Sequence, residues 1–341
     1  MKSAVLYAAR DLRIEERDVP TAGAGELLIK VMASGVCGTD VHIYEGDKGS
    51  AEVSFPIVLG HEYAGIVEQV GVGVQGFQVG DRVCVDPNVL CGHCYYCLAG
   101  LGHFCENMTV SGIMLDGGFG QYAVVPARAA YKLADTVSFE AGAMAEPLAC
   151  CLHAIDMCNL TQGDTVVVMG GGLIGLLMVQ LANLAGAAQV VLIEPSAAKR
   201  AFGAKLGADL CIDPMAEDVK AAIEQAGISR VNAVIECVGK PQTIELAIEI
   251  AGKKSVVMMF GLTKPDETVS ILPFEIFRKE VEIKSSFINP YTIGRAVSLI
   301  NTGKIDVTSM IAEIVPLERL DEVITDENLR SRGKFVVAPW M

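Results

Sequence analysis

The run TVVVMGGGLIGLLMVQLANLAGAAQVVLI (165–193) limits the fold more than any other part of the sequence, because its 29 residues carry no charge. It is long enough to cross a bilayer. Against a membrane span stand Gly170, Gly171, Gly172, Gly175 and Gly186, the polar Gln180, Asn183 and Gln189, and Val/Ile-rich ends that read as strands. A strand, a glycine turn, a helix and a second strand, buried on both faces, are apolar for another reason: they form the middle of a helix-covered parallel sheet. The alternation continues downstream. Residues 165–169, 189–194, 208–213, 231–237, 254–260 and 281–287 predict strands, and 173–186, 196–206, 215–226 and 241–251 predict helices. Six strands with helical crossovers make a doubly wound α/β fold.

Within that run, Gly170, Gly172 and Gly175 occupy the G-x-G-x-x-G positions directly after a strand. Such glycines allow a tight turn, backbone approach to a pyrophosphate and close helix–strand packing. The helix N-terminus that follows offers N–H donors and a partial positive charge to the same group. Glu194 ends the next strand 19 residues after Gly175, where a carboxylate can accept hydrogen bonds from the adenosine ribose and would repel a 2′-phosphate. The expected cofactor is therefore NAD, while Lys199 and Arg200 nearby keep NADP open.

The texture of the chain changes twice. The first third reads as short strands at 27–36, 64–71, 81–87 and 120–126, separated by Gly, Pro and Asp. The alternating pattern begins at Asp164, and from about Asn289 the sequence returns to mixed helix and strand without a glycine fingerprint. No internal repeat and no Pro/Ser-rich linker is visible. At 341 residues, two domains are expected.

Eleven cysteines accompany an N-terminus, MKSAVLYAARDLRIEE, whose charges stand where a signal peptide needs an apolar core. Thiols and metal, in a cytoplasmic protein, are expected rather than disulfides. Cys91, Cys94, Cys97 and Cys105 crowd into fifteen residues with spacing C-x2-C-x2-C-x7-C. Four thiolates can enclose a tetrahedral zinc with no open position, which makes a structural site. A four-iron cluster is the competing metal, but its usual last gap is three residues followed by Pro, whereas here it is seven followed by Glu106. Gly92, Gly100 and Gly102 mark the segment as a loop. A second set is dispersed: Cys37, His61, Glu62 and Glu146. A thiolate, an imidazole and a carboxylate with one position left for water or substrate describe a catalytic zinc. Each taken singly is ordinarily a core cysteine, a turn cap or a surface acid, so spacing alone does not assign the metal. His93, His103 and His153 read as structural or surface residues.

Taken together and in this order, GHEYAGIVEQVG, the cysteine run, DGGFGQYAVVP, AEPLAC and GGGLIG resemble the zinc-containing medium-chain dehydrogenase/reductases over essentially the whole chain. The likeness is nearest to the branch of sorbitol (polyol), butanediol and L-threonine 3-dehydrogenases. It implies a GroES-like, β-rich catalytic domain at 1–150 and 289–341, and a Rossmann domain at 151–288. It also implies that Cys37, His61 and Glu62 ligate a catalytic zinc, that Glu146 binds the metal or its water, and that Thr39 and His42 relay the proton. Ile174, Glu194 and Lys199 would contact the adenosine half of NAD, and Phe260, Gly261, Leu262, Ser286 and Phe287 the nicotinamide side. Similar enzymes are often dimers or tetramers, so the resemblance implies a homo-oligomer.

Those parts imply oxidation of a secondary alcohol of a polyol to a ketone by NAD, with zinc as Lewis acid. The segment CGTDVHIY looks instead like L-threonine 3-dehydrogenases, and AEPLACCLHA like the polyol enzymes. From another class, a non-catalytic NAD-binding sensor would have no physical reason to keep the complete metal-and-relay set. The net charge of −14 repels phosphate backbones and anionic lipid, so a small molecule is expected as partner, not nucleic acid or membrane.

Overall fold

The computed structural model describes residues 1–47 and 53–341. In chain order its first strands and helices are β1 (Lys2–Ala8), β2 (Asp11–Glu16), β3 (Glu26–Gly35), α1 (Gly38–Glu45), β4 (Ile57–Val58), β5 (Glu62–Val70), β6 (Arg82–Val85), β7 (Asn88–Val89) and α2 (Tyr95–Leu98). Then come β8 (Thr109–Val110), β9 (Tyr122–Pro126), β10 (Ala130–Lys132), α3 (Phe139–Ala143) and α4 (Ala145–Cys158). The alternating part follows: β11 (Thr165–Met169), α5 (Leu173–Leu184), β12 (Gln189–Ile193), α6 (Ala197–Lys205), β13 (Leu210–Ile212), α7 (Val219–Gln225), β14 (Ala233–Glu236), α8 (Pro241–Ile250), β15 (Val256–Met259), α9 (Pro273–Lys279) and β16 (Glu282–Ser285). The chain closes with α10 (Ile293–Asn301), β17 (Ile311–Val315), α11 (Leu320–Thr325), α12 (Glu327–Arg330) and β18 (Lys334–Val337). Two compact units result, Met1–Ala149 with Asn289–Met341, and Cys150–Ile288.

In the second unit six strands pair in parallel in the order β13-β12-β11-β14-β15-β16. The uncharged run is β11–α5–β12. Val166, Val167, Val168, Val190, Val191 and Leu192 have no exposed surface, and full burial of such a side chain stabilises by about 1.5–3 kcal/mol. No helix among the described residues is long and apolar enough to cross a membrane. The strand order reverses between β11 and β14, the switch point outside which doubly wound sheets bind ligands. All six expected strands and four expected helices are present, though most strands are shorter. The expected ends at Cys237 and Phe260 lie in irregular backbone just past the strands, and their N–H groups donate to the carbonyls of Met169 and Glu236. The sequence reading omits α9, whose Phe274 and Phe277 are exposed, so no buried stripe gives it a period.

In the first unit β3, β5, β6 and β9 answer to the four strands read from the sequence. They belong to a seven-stranded sheet ordered β10-β6-β5-β3-β18-β17, with β9 also on β3. The late strand β18 lies antiparallel to β3, with Val336 opposite Gly35 and Val337 opposite Ser34. A three-stranded sheet, β2-β1-β4, stands beside it. The β1–β2 turn places Arg10 at φ 63° and carries no Gly or Asn, so the sequence gives no turn signal there. One core gathers Leu6, Leu59, Phe119, Leu320 and Phe335, and a second gathers Leu27, Ile29, Tyr63 and Val83.

Candidate metal centres and dinucleotide site

Sheet register brings the first constellation together. Gly35, the last residue of β3, pairs with Glu62 at the start of β5. Cys37 follows as N-cap of α1, and His61 immediately precedes β5. The ligand atoms of Cys37, His61 and Glu62 all lie within 4.8 Å of one another. A tetrahedral ion with bonds of about 2.0–2.3 Å spaces its ligands roughly 3.3–3.8 Å apart, so this sulfur, nitrogen and oxygen set fits zinc and leaves a fourth position. His61 is buried with Nδ1 3.5 Å from Asp40 Oδ1, which leaves Nε2 for the metal. The other oxygen of Asp40 accepts the Cys37 N–H at 2.8 Å. Asp40 thus lies against both residues, hydrogen-bonded to the Cys37 backbone and within ion-pair distance of His61.

Two residues here have no counterpart in the sequence reading. Lys334 at the start of β18 forms a buried ion pair with Glu62 Oε2. Burial pulls its ammonium pKa down, but Glu62 and then Cys37 outweigh burial and leave it raised. Gly35 makes the pair possible, because a Cβ there would collide with Glu62 Oε2 and lie 2.7 Å from Lys334 Cε. Neither residue forms a local motif, so the sequence carries no short-range signal for them.

Thr39 Oγ1 is 3.8 Å from Cys37 Sγ. His42 is exposed, with Nδ1 3.3 Å from Asp47 Oδ2. Glu146 is buried in the first turn of α4 and stands outside the three-ligand group.

The second constellation is local. Cys91, Cys94, Cys97 and Cys105 present sulfurs within 4.8 Å of one another, with Cys91 and Cys97 3.9 Å apart. That separation suits the roughly 3.8 Å edge of a single tetrahedral S4 shell. The Cys91 N–H donates to Cys105 Sγ at 3.3 Å. Backbone N–H groups, led by that of His93, pull the Cys91 thiol down to about 6, toward the thiolate a metal needs.

In the second unit, Gly170 follows β11 at φ 97°, a conformation that favours glycine. Gly172 caps α5, and a Cβ there would meet nothing within 4 Å, so the cradle is open where a pyrophosphate would sit. Gly175 packs so closely on the Gly170 carbonyl that any side chain would collide with it. Ile174 is half-buried on the first turn of α5. Glu194, buried at the end of β12, accepts from the Gly171 N–H at 2.6 Å through Oε2 and from the Ser196 N–H at 2.8 Å through Oε1. Each carboxylate oxygen retains a lone pair for a ribose hydroxyl. Lys199 is half-buried on α6. Phe260 and Gly261 follow β15 and donate their N–H groups to the Glu236 carbonyl, both at 2.9 Å, while Leu262 is exposed. Ser286 and the exposed Phe287 follow β16. All of these positions lie at the carboxyl ends of the strands.

Residues 23–135 match the alcohol dehydrogenase GroES-like domain and residues 174–302 the zinc-binding dehydrogenase family. L-threonine 3-dehydrogenase of Pyrococcus horikoshii is 34% identical over 91% of this chain and 89% of its own length. Sorbitol dehydrogenase of Bacillus subtilis is 31% identical over 95% and 92%. A zinc-binding dehydrogenase of Sinorhizobium meliloti, solved bound to NADP, superposes with a TM-score of 0.95 at 38% identity, covering 99% of both chains.

Proposed function

Because the chain belongs to the zinc-containing medium-chain dehydrogenase family, we propose that it oxidises a secondary alcohol of a polyol, a sugar alcohol or vicinal diol, to a ketone with NAD. The observation that carries this reading is the convergence of the half-buried Cys37 with the buried His61 and Glu62, three ligand atoms within 4.8 Å of one another. Cys37, His61 and Glu62 would hold zinc, which would supply Lewis acidity to the substrate hydroxyl. Asp40 orients His61 and Cys37, and Lys334 offsets the charge of Glu62. Bound NAD would supply the hydride acceptor for the substrate carbon, and Thr39 with the exposed His42 would carry the hydroxyl proton away. Glu146 holds the incoming water or hydroxyl. Ile174, Glu194 and Lys199 bind the adenosine half, and Phe260, Gly261, Leu262, Ser286 and Phe287 the nicotinamide side. The cysteine quartet holds a second, structural zinc.

Glu194 favours NAD, although the Sinorhizobium relative is solved with NADP. A second substrate, L-threonine, is supported by the CGTDVHIY segment and by the Pyrococcus relative. It would need groups for an ammonium and a carboxylate. A homo-oligomer is part of the same reading: β16 is an edge strand, and Ile283, Leu272, Phe274 and Phe277 of its unit are exposed. A chain with eleven cysteines and a proposed thiolate metal centre suits a reducing cytoplasm.

The test is initial-rate NAD reduction by the zinc-loaded protein on sugar alcohols, inositols, vicinal butanediols and L-threonine, with a chelator-stripped control. Zinc-dependent turnover of a polyol is expected. Turnover of L-threonine alone would replace the substrate, and silence with zinc and NAD both bound would favour a sensor.

A further inference from the structure

The Glu194 turn is held from outside by one arginine. Arg200 on α6 donates through Nη1 to the carbonyls of Glu194 and Pro195, at 2.7 and 2.8 Å. Its Nη2 lies 3.0 Å from Oδ2 of Asp213, the residue that follows β13. Since β13 pairs with β12, Asp213 and Glu194 end adjacent strands, with the guanidinium bound to both. Both partners of the ion pair are about one-fifth exposed, at 19% and 22%. The other oxygen of Asp213 accepts the Met215 N–H at 3.0 Å, which fixes the carboxylate independently of Arg200.

This arrangement matters for cofactor choice. A 2′-phosphate beside Glu194 would need a cation in compensation, and an arginine fork is the group best shaped to supply it. Arg200 stands beside that turn, but three of its five N–H donors are engaged and its charge is balanced by Asp213. We propose that Asp213 is a specificity-determining residue that acts through Arg200: it commits the guanidinium to the Glu194–Pro195 turn and so withholds it from the 2′-phosphate of NADP. Arg200 is in turn a positioning residue for Glu194. The inference rests on the assignment of the ribose site to Glu194.

Asp213→Asn keeps the shape and the acceptor for Met215 while removing the charge. In the zinc-loaded full chain, NADP and NAD dissociation constants read by protein fluorescence should show NADP binding tightened about tenfold, with NAD within about twofold of its original value. Asp213→Ser should give the same direction and serves if the first variant folds poorly. Arg200→Met should weaken NAD several-fold without helping NADP, and adding it to Asp213→Asn should erase the NADP gain. An unchanged NADP-to-NAD ratio in both Asp213 variants, or a gain that survives loss of Arg200, overturns the proposal. Failure of the underlying site looks different: the original chain would bind neither dinucleotide, or Glu194→Ala would leave the ratio unmoved.

Discussion

Lys334 and Glu62 form an ion pair without access to water, so removing one partner strands the other as a buried charge. Lys334→Met should cost the metal-free protein about 3–5 kcal/mol, and added zinc should restore part of the loss by supplying positive charge to Glu62. Thermal melts with and without zinc check this, and equal losses in both would remove the electrostatic link. Cys37→Ala, by contrast, should abolish turnover while leaving NAD binding and the fold largely intact, as measured by rates, cofactor titration and circular dichroism. Asp86 gives a pH signature. Burial lifts its carboxyl to about 6 from an ordinary 3.8, against the Asn88 N–H and Asn289 side-chain donors. The folded state therefore holds the proton longer than the unfolded one, so stability present below pH 4 declines as pH rises through about 6. Asp86→Asn should recover on the order of 1–3 kcal/mol at pH 7 and nothing at pH 4, by denaturant melts at both. The cysteine quartet and the glycine fingerprint were legible because each sits in a short segment whose spacing mirrors its geometry, whereas Cys37, His61 and Glu62 are dispersed and were assigned as a metal set only by the family resemblance. Lys334, Asp213 and Gly35 were not legible, because their meaning comes from register between distant strands.

The cysteine lobe contains little that could stand alone. Helix α2 has four residues, β7 and β8 have two each, and Tyr95 and Leu98 are exposed. Pieces this short do not persist without external ties, so a metal bound by the four sulfurs would hold the segment. Cys94→Ala should lower both metal content and melting temperature, and hydrogen exchange should rise first in 91–105 while β11–β16 stay protected. Full stability with that metal missing would refute the cage. At this scale the alternating half was readable, since long apolar strands repeat at regular intervals. The β1–β2 hairpin and α9 lacked either a turn residue or a buried stripe, and periodicity had nothing to register.

In the proposed reading the two units bind different groups. NAD at a hundred times its dissociation constant should add about 2.7 kcal/mol to the stability of the Cys150–Ile288 unit. Followed by exchange protection, that gain should concentrate in β11, β12 and α5; an even spread over the chain would contradict a nucleotide site confined to this sheet. The other unit is discontinuous in sequence, and this bears on its synthesis. A ribosome delivers Cys37, His61 and Glu62 early, then all of the parallel sheet, and only afterwards β17 and β18 with Lys334. For most of translation the growing chain carries the three candidate metal ligands without the strand that flanks β3 or the cation that balances Glu62. The nucleotide-binding unit can mature on the ribosome, whereas the metal pocket reaches its final electrostatic balance only when the last strand has been made.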